Sequence, residues 1–201
     1  MMISFDEFLD SRLSSGGFST EDVLVSFLPL ARRVVQVHAA GNVAPLKTVG
    51  HLHADALILG FSDRDIHPPQ LNLEKVERLD RPRGALEIVS EINRHMDVRH
   101  GTAAIVDMQL GEKNREPSGP VYVAGYYCWE HLVEHHDPLT DIFSLGLILA
   151  SLACSLNLNN TADLTEFVTH RRNLFRIMPG LHPVLSKAII RMTELSRHAR
   201  S

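Results

Sequence analysis

Thirteen consecutive residues, Ile142 to Cys154, carry no charge. Asp137-Pro138 precedes them, a cap followed by a first-turn proline, so the run begins as a helix. Ile142-Phe-Ser-Leu-Gly-Leu-Ile-Leu149 is apolar almost all round, and such a helix needs neighbours on every side. It is too short to span a bilayer, which takes about 20 apolar residues. The rest of the chain must therefore form a coat around it.

That coat is legible as amphipathic helices. Ser4 and Glu7 make a capping box that opens a short helix stopping at Gly16-Gly17. Ser19-Thr-Glu-Asp22 starts a second, with Val23, Leu24, Phe27, Leu28, Ala31, Val34 and Val35 as one core-facing stripe and Gly41 as its stop. Thr161 to Arg171 uses Leu164, Phe167 and Val168; a helix from His182-Pro183 turns Leu185, Ala188, Ile189, Met192 and Leu195 inward. Between these lie weaker signals. Val43 to Leu46, broken by Pro45, reads as a loop, and Ala56-Leu-Ile-Leu59 as a short buried strand. Ser62 to Arg83, with Pro68, Pro69 and Pro82, reads as irregular chain. Ala85 to Met96 fits a helix or a strand, Gly111 to Gly119 is a charged loop, and Val121-Tyr-Val123 is β-prone. The fold class is mainly α with a few short β-strands, organised as a helical extension over 1–18 and one domain over 19–201.

Composition narrows the function. The 201 residues hold 20 Lys and Arg against 24 Asp and Glu, a formal charge of −4, which gives no basic footprint for nucleic acid. Two cysteines, Cys128 and Cys154, are too few for a disulfide framework and fit a reducing, cytoplasmic compartment. MMISFDEFLD lacks the basic region and apolar run of a secretory signal. No membrane partner is expected.

The order of features resembles the C-terminal lobe of a protein kinase. Asp141-Ile-Phe-Ser-Leu-Gly-Leu-Ile-Leu149 is similar to that family's long central helix, which begins with an Asp. Cys128-Trp129-Glu130 stands eleven residues earlier, where the family has Ala-Pro-Glu. Met192 to Arg200 looks like the late segment that ends in a structural Arg, and Val37-His38-Ala-Ala-Gly41 like the end of the helix leading into the catalytic loop. The resemblance covers Ser19 to Ser201 and is most specific from Tyr122 to Leu149 and at Arg200. It implies an ion pair between Glu130 and Arg200, and an Asp141 that accepts backbone N–H bonds from the loop region. It also places Tyr126, Tyr127 and Trp129 where the family has its peptide-binding shelf; exposure there suits protein recognition, burial suits core packing.

The departures bear on catalysis. Phosphoryl transfer needs a phosphate-binding Lys and Gly-rich loop, Asp and Asn ligands for Mg²⁺, and an Asp beside the substrate hydroxyl. After Gly41, in place of His-Arg-Asp, the chain reads Val43-Ala-Pro-Leu-Lys47; Asp55 and Ala56 stand where the Asn would fall, and Gly60-Phe-Ser-Asp-Arg-Asp65 replaces Asp-Phe-Gly. No Gly-x-Gly-x-x-Gly occurs, and 43 residues ahead of Ala44 read as two helices in place of a five-stranded N-terminal lobe. The expectation is a pseudokinase without catalytic, cofactor or metal residues and without ATP. It would serve as a protein-binding or regulatory module, an N-terminal part of a larger intracellular protein or complex, partnered by another protein or the rest of that chain. The alternative is an atypical Mg²⁺-dependent phosphotransferase using Asp55, Asp63 or Asp65.

Other constellations are weaker. His131, His135 and His136 have an i, i+4 pair for a metal but lack His-Glu-x-x-His, so solvated surface histidines are expected. His51-Leu-His53 with Asp55 is a second such set. Ser144 and Ser151 read as packing residues, and Cys154 as a core thiol with no base beside it.

Overall fold

The computed structural model describes residues 2–44, 51–53, 58–80 and 119–200. In chain order the elements are β1 (Met2–Ile3), α1 (Phe5–Ser14), α2 (Thr20–Ala39), β2 (His51–His53), β3 (Ile58–Gly60), α3 (Leu73–Leu79), α4 (Pro138–Cys154), α5 (Thr161–His170) and α6 (Pro183–Met192). Short 3-10 turns occupy Asp63–Asp65, Trp129–Val133, Arg171–Arg176 and Arg197–Ala199. The strands form a small antiparallel sheet in the order β1-β2-β3, with Met2 opposite His53 and His51 opposite Gly60. The architecture is mainly helical.

Helix α4 runs through the middle, and nearly all of its residues from Thr140 to Cys154 are buried. Asp137 caps it by accepting from the Leu139 and Thr140 amides, while the Asp137 amide donates to the Thr140 hydroxyl oxygen. α6 and α2 pack against it. The α4–α6 crossing is close at Gly146: a Cβ there would sit 2.6 Å from Met192 Cβ and 2.9 Å from Thr193 Cγ2, so only glycine lets the helices meet. Ser151 donates or accepts in a bond to the Tyr126 hydroxyl at 2.9 Å, and buried Ser144 has no hydrogen-bond partner among the described residues.

Both N-terminal helices start where the sequence placed them, α1 on the Ser4–Glu7 box and α2 at Ser19, whose reciprocal bonds with Asp22 form a second box. In α1, Phe5, Phe8 and Leu9 enter the same core as α4, Phe5 meeting Tyr126 edge-on at 5.0 Å. α2 ends as expected, with Gly41 at φ +77° and its amide on the His38 carbonyl.

Three expectations need correction. The buried face of α2 is Val23, Ser26, Phe27, Leu30, Val34 and Val37; Leu24, Leu28 and Val35 lie on the exposed side with Val25. The helix is apolar on two faces, and hydropathy alone chose residues from both. Ser62–Arg83 is not irregular throughout, since α3 forms between the prolines and buries Val76 and Leu79 one turn apart. Val121-Tyr-Val123 forms no strand; Tyr122 is held by its own side chain, whose hydroxyl donates to the Thr193 carbonyl while the ring stacks on Phe143. The expected strand at Ala56–Leu59 is β3 over Ile58–Gly60, with Ala56 and Leu57 outside the described residues. Ala85–Met96 also lies outside them, as do Pro45–Lys47 and Asp55, while Gly111–Gly119 does except for Gly119.

Candidate functional site

Under the first turn of α4 lies a buried polar node built on Asp141. Its side chain is 1% exposed. Oδ2 accepts the Ala44 amide at 2.7 Å and lies 2.8 Å from His38 Nε2; Oδ1 lies 2.6 Å from His136 Nε2. One carboxylate thus ties the end of α2, the chain just beyond it and the segment entering α4. Burial alone would raise this carboxyl, but the bonds from His136, His38 and Ala44 outweigh it and hold Asp141 below the ordinary carboxylate value. Both oxygens meet protein groups, so the carboxylate positions chain.

A second node joins the turn before α4 to the chain's last residues. Arg200 Nη1 donates to Glu130 Oε1 at 2.6 Å and Nη2 lies 3.4 Å from Oε2, with both side chains fully buried. The guanidinium also donates to the Glu194, Leu139 and Leu195 carbonyls and lies 4.8 Å over the Phe143 ring. Cys128 Sγ donates to Glu130 Oε2, and burial with that neighbouring carboxylate pushes its thiol well up. Cys154 is buried as expected and pushed up to about 12 by burial, so both thiols are inert packing groups at neutral pH. Between the two nodes, Asp137 pairs with Arg197. Burial would raise Asp137, yet the nearby His135 ring, the bond and charge of Arg197 and the Thr140 amide hold it well below the carboxylate range.

Of the three aromatics weighed for recognition, only Tyr127 reaches solvent, at 39% exposed. Trp129 and Tyr126 are core residues: Trp129 is fully buried with Nε1 donating to the Leu195 carbonyl, and Tyr126 bonds Ser151. A polar atom on each ring finds a buried partner, which is why neither needs the surface.

The histidines are also not the solvated set expected from spacing. His135 is fully buried and His136 is 8% exposed. The helix that would have put His131 and His135 on one face does not form. The turn ends at Glu134, whose φ of +59° swings the following residues inward. His136 sits edge-on to His67 at 4.9 Å and to His131 at 4.7 Å. No group of three metal-ligating side chains is disposed around a common point among the described residues. Asp63 is exposed and paired with Arg33, and Asp65 is exposed beside it.

Sequence reasoning did not assign roles to His38 and His136, because their partner Asp141 is 103 residues from one and on the next element from the other. Buried histidine carries no hydropathy signal that separates it from the solvated kind. No family model matches the chain, and no curated protein or solved structure is significantly similar to it.

Proposed function

We propose that the chain is a catalytically inactive, kinase-like helical domain that works as a protein-binding or regulatory module. The observation that carries this reading is the Asp141 node. The carboxylate accepts the Ala44 amide, which on this reading belongs to the counterpart of a kinase catalytic loop, and the side chains there, Val43 and Ala44, are apolar and fully buried. Neither of these two side chains can orient a hydroxyl or take its proton. The buried Glu130–Arg200 pair supports the same frame. Apolar side chains left in water on α2, Val25 at 66% and Val35 at 65% exposed, support the interaction half of the reading.

The Mg²⁺-dependent alternative asks Asp63 to leave Arg33 for a cation. A thermal-shift titration with ATP and Mg²⁺ separates the two. A ligand at 100 times its Kd stabilises the folded state by about 2.7 kcal/mol, a rise of several degrees for a domain this size. The proposal expects no concentration-dependent rise; a saturable one contradicts it.

A further inference from the structure

We propose that the strap from His67 to Leu79 is an acid-released latch, held closed by the Asn72 amide donating to the neutral imidazole of His135. The strap crosses the turn before α4 on four hydrogen bonds. Gln70 and His136 exchange backbone bonds of 2.9 and 2.8 Å, Asn72 Nδ2 donates to the Val133 carbonyl at 2.9 Å, and the Asn72 amide donates to His135 Nδ1 at 2.8 Å. Upstream, the Val43 amide donates to the His67 carbonyl at 2.9 Å. Three of the four strap bonds are indifferent to protons in the neutral range. The fourth is not.

A backbone N–H can only donate, so His135 Nδ1 must hold a lone pair and the ring's single proton must be on Nε2. Nε2 lies 3.4 Å from Asp137 Oδ2, poorly aligned for a regular hydrogen bond but within reach of the carboxylate's charge. An added proton can therefore land only on Nδ1. It turns acceptor into donor and sets two N–H groups against each other inside the fold. Asp137 lies on the Nε2 side of the ring, so it supplies no substitute acceptor for the Asn72 amide. Histidine is the side chain that ordinarily changes charge between pH 5 and 8.

His136 stands edge-on between His67 of the strap and His131 of the turn, so the strap closes over a seam of imidazole rings. The other charged groups around His135 are Asp137 with its partner Arg197, and Glu130, whose carbonyl accepts the His135 amide. Asp141 faces His136, and α3 contributes Glu74, Glu77, Arg78 and the half-buried Lys75. None of these supplies an acceptor for the Asn72 amide.

The test is amide hydrogen exchange on the full chain, read as protection factors at pH 7.5 and pH 5.5. The Asn72 amide should lose at least about tenfold protection at the lower pH while Leu147–Leu149 in α4 keep theirs. His135→Asn places a non-titrating amide oxygen near the position of Nδ1, and its Asn72 protection should be the same at both pH values. Unchanged Asn72 protection in the native chain, an equal fall in His135→Asn, or a parallel fall in α4 overturns the latch. Should His135→Asn not fold, the ring nitrogen resonances of the native chain decide. An unprotonated Nδ1 at pH 7.5 that protonates as Asn72 loses protection is the expected result, and a protonated Nδ1 at pH 7.5 overturns it.

Discussion

Removing either partner of the Glu130–Arg200 pair should cost different amounts, and the inequality follows from the geometry. Breaking a buried ion pair by deleting one side typically costs about 3–5 kcal/mol, because the other charge is stranded. In Glu130→Ala the stranded guanidinium keeps the Glu194, Leu139 and Leu195 carbonyls and the Phe143 ring face, so the cost should sit near the lower end. In Arg200→Ala three carbonyls lose donors, and among the described residues Glu130 retains the Cys128 thiol and Arg197 at 3.8 Å. Unsatisfied buried groups cost roughly 1–3 kcal/mol each where water cannot replace the partner, so this variant should reach or pass the upper end. A domain has about 5–15 kcal/mol in total, and Arg200→Ala could consume a third of it or more. The double variant removes both charges and should be less destabilised than the sum, with a coupling of about 1–3 kcal/mol. Urea unfolding of the four proteins measures the cycle. Additivity within about 0.5 kcal/mol would show that the two side chains do not interact, and Glu130→Ala costing more than Arg200→Ala would refute the accounting by carbonyl partners.

Other substitutions probe separate parts of the frame. Asp141→Asn turns one carboxylate oxygen into an NH₂ facing protein donors, and should cost at least about 1–3 kcal/mol by chemical denaturation at pH 7. Because the folded carboxyl of Asp141 is lowered, its contribution is complete above the ordinary value of 3.8 and is lost as pH falls from there through the folded value. The Asp141→Asn stability curve should therefore be flatter than the native one on that acid limb, and parallel curves would contradict the node. Gly146→Ala forces a methyl against Met192 and Thr193 and should lower stability by about 1–3 kcal/mol, whereas a neutral result would mean α4 and α6 can part easily. Ser19→Ala removes the acceptor for the Asp22 amide and should cost about 1 kcal/mol; no change would mean α2 does not depend on its cap.

The legible parts of this fold were those whose signals are local. Asp137-Pro138 and the uncharged run announced α4, the Ser4–Glu7 box announced α1 and Ser19-Thr-Glu-Asp22 announced α2, because start signals lie within a few residues of one another. The pairing of Glu130 with Arg200 and of Asp141 with the Ala44 amide came from family likeness, since nothing local links residues 70 and 97 positions apart. α3 was obscured by its flanking prolines: seven residues with two buried positions give too short a period to register. The phase of α2 was misread because Leu24, Leu28 and Val35 are as apolar as the residues that face α4. The histidine cluster was hidden for a related reason. Whether an imidazole is buried depends on acceptors and donors supplied by the strap and by α2, and those partners are remote in sequence.

The central claim, a kinase-like frame without phosphoryl-transfer chemistry, meets its most direct test in turnover of γ-labelled ATP with Mg²⁺ or Mn²⁺, followed for phosphate release and for transfer to the chain or to a general protein substrate. The account predicts rates equal to the protein-free blank, unaltered by Asp63→Asn or Asp65→Asn. Turnover above the blank that either substitution abolishes would contradict it.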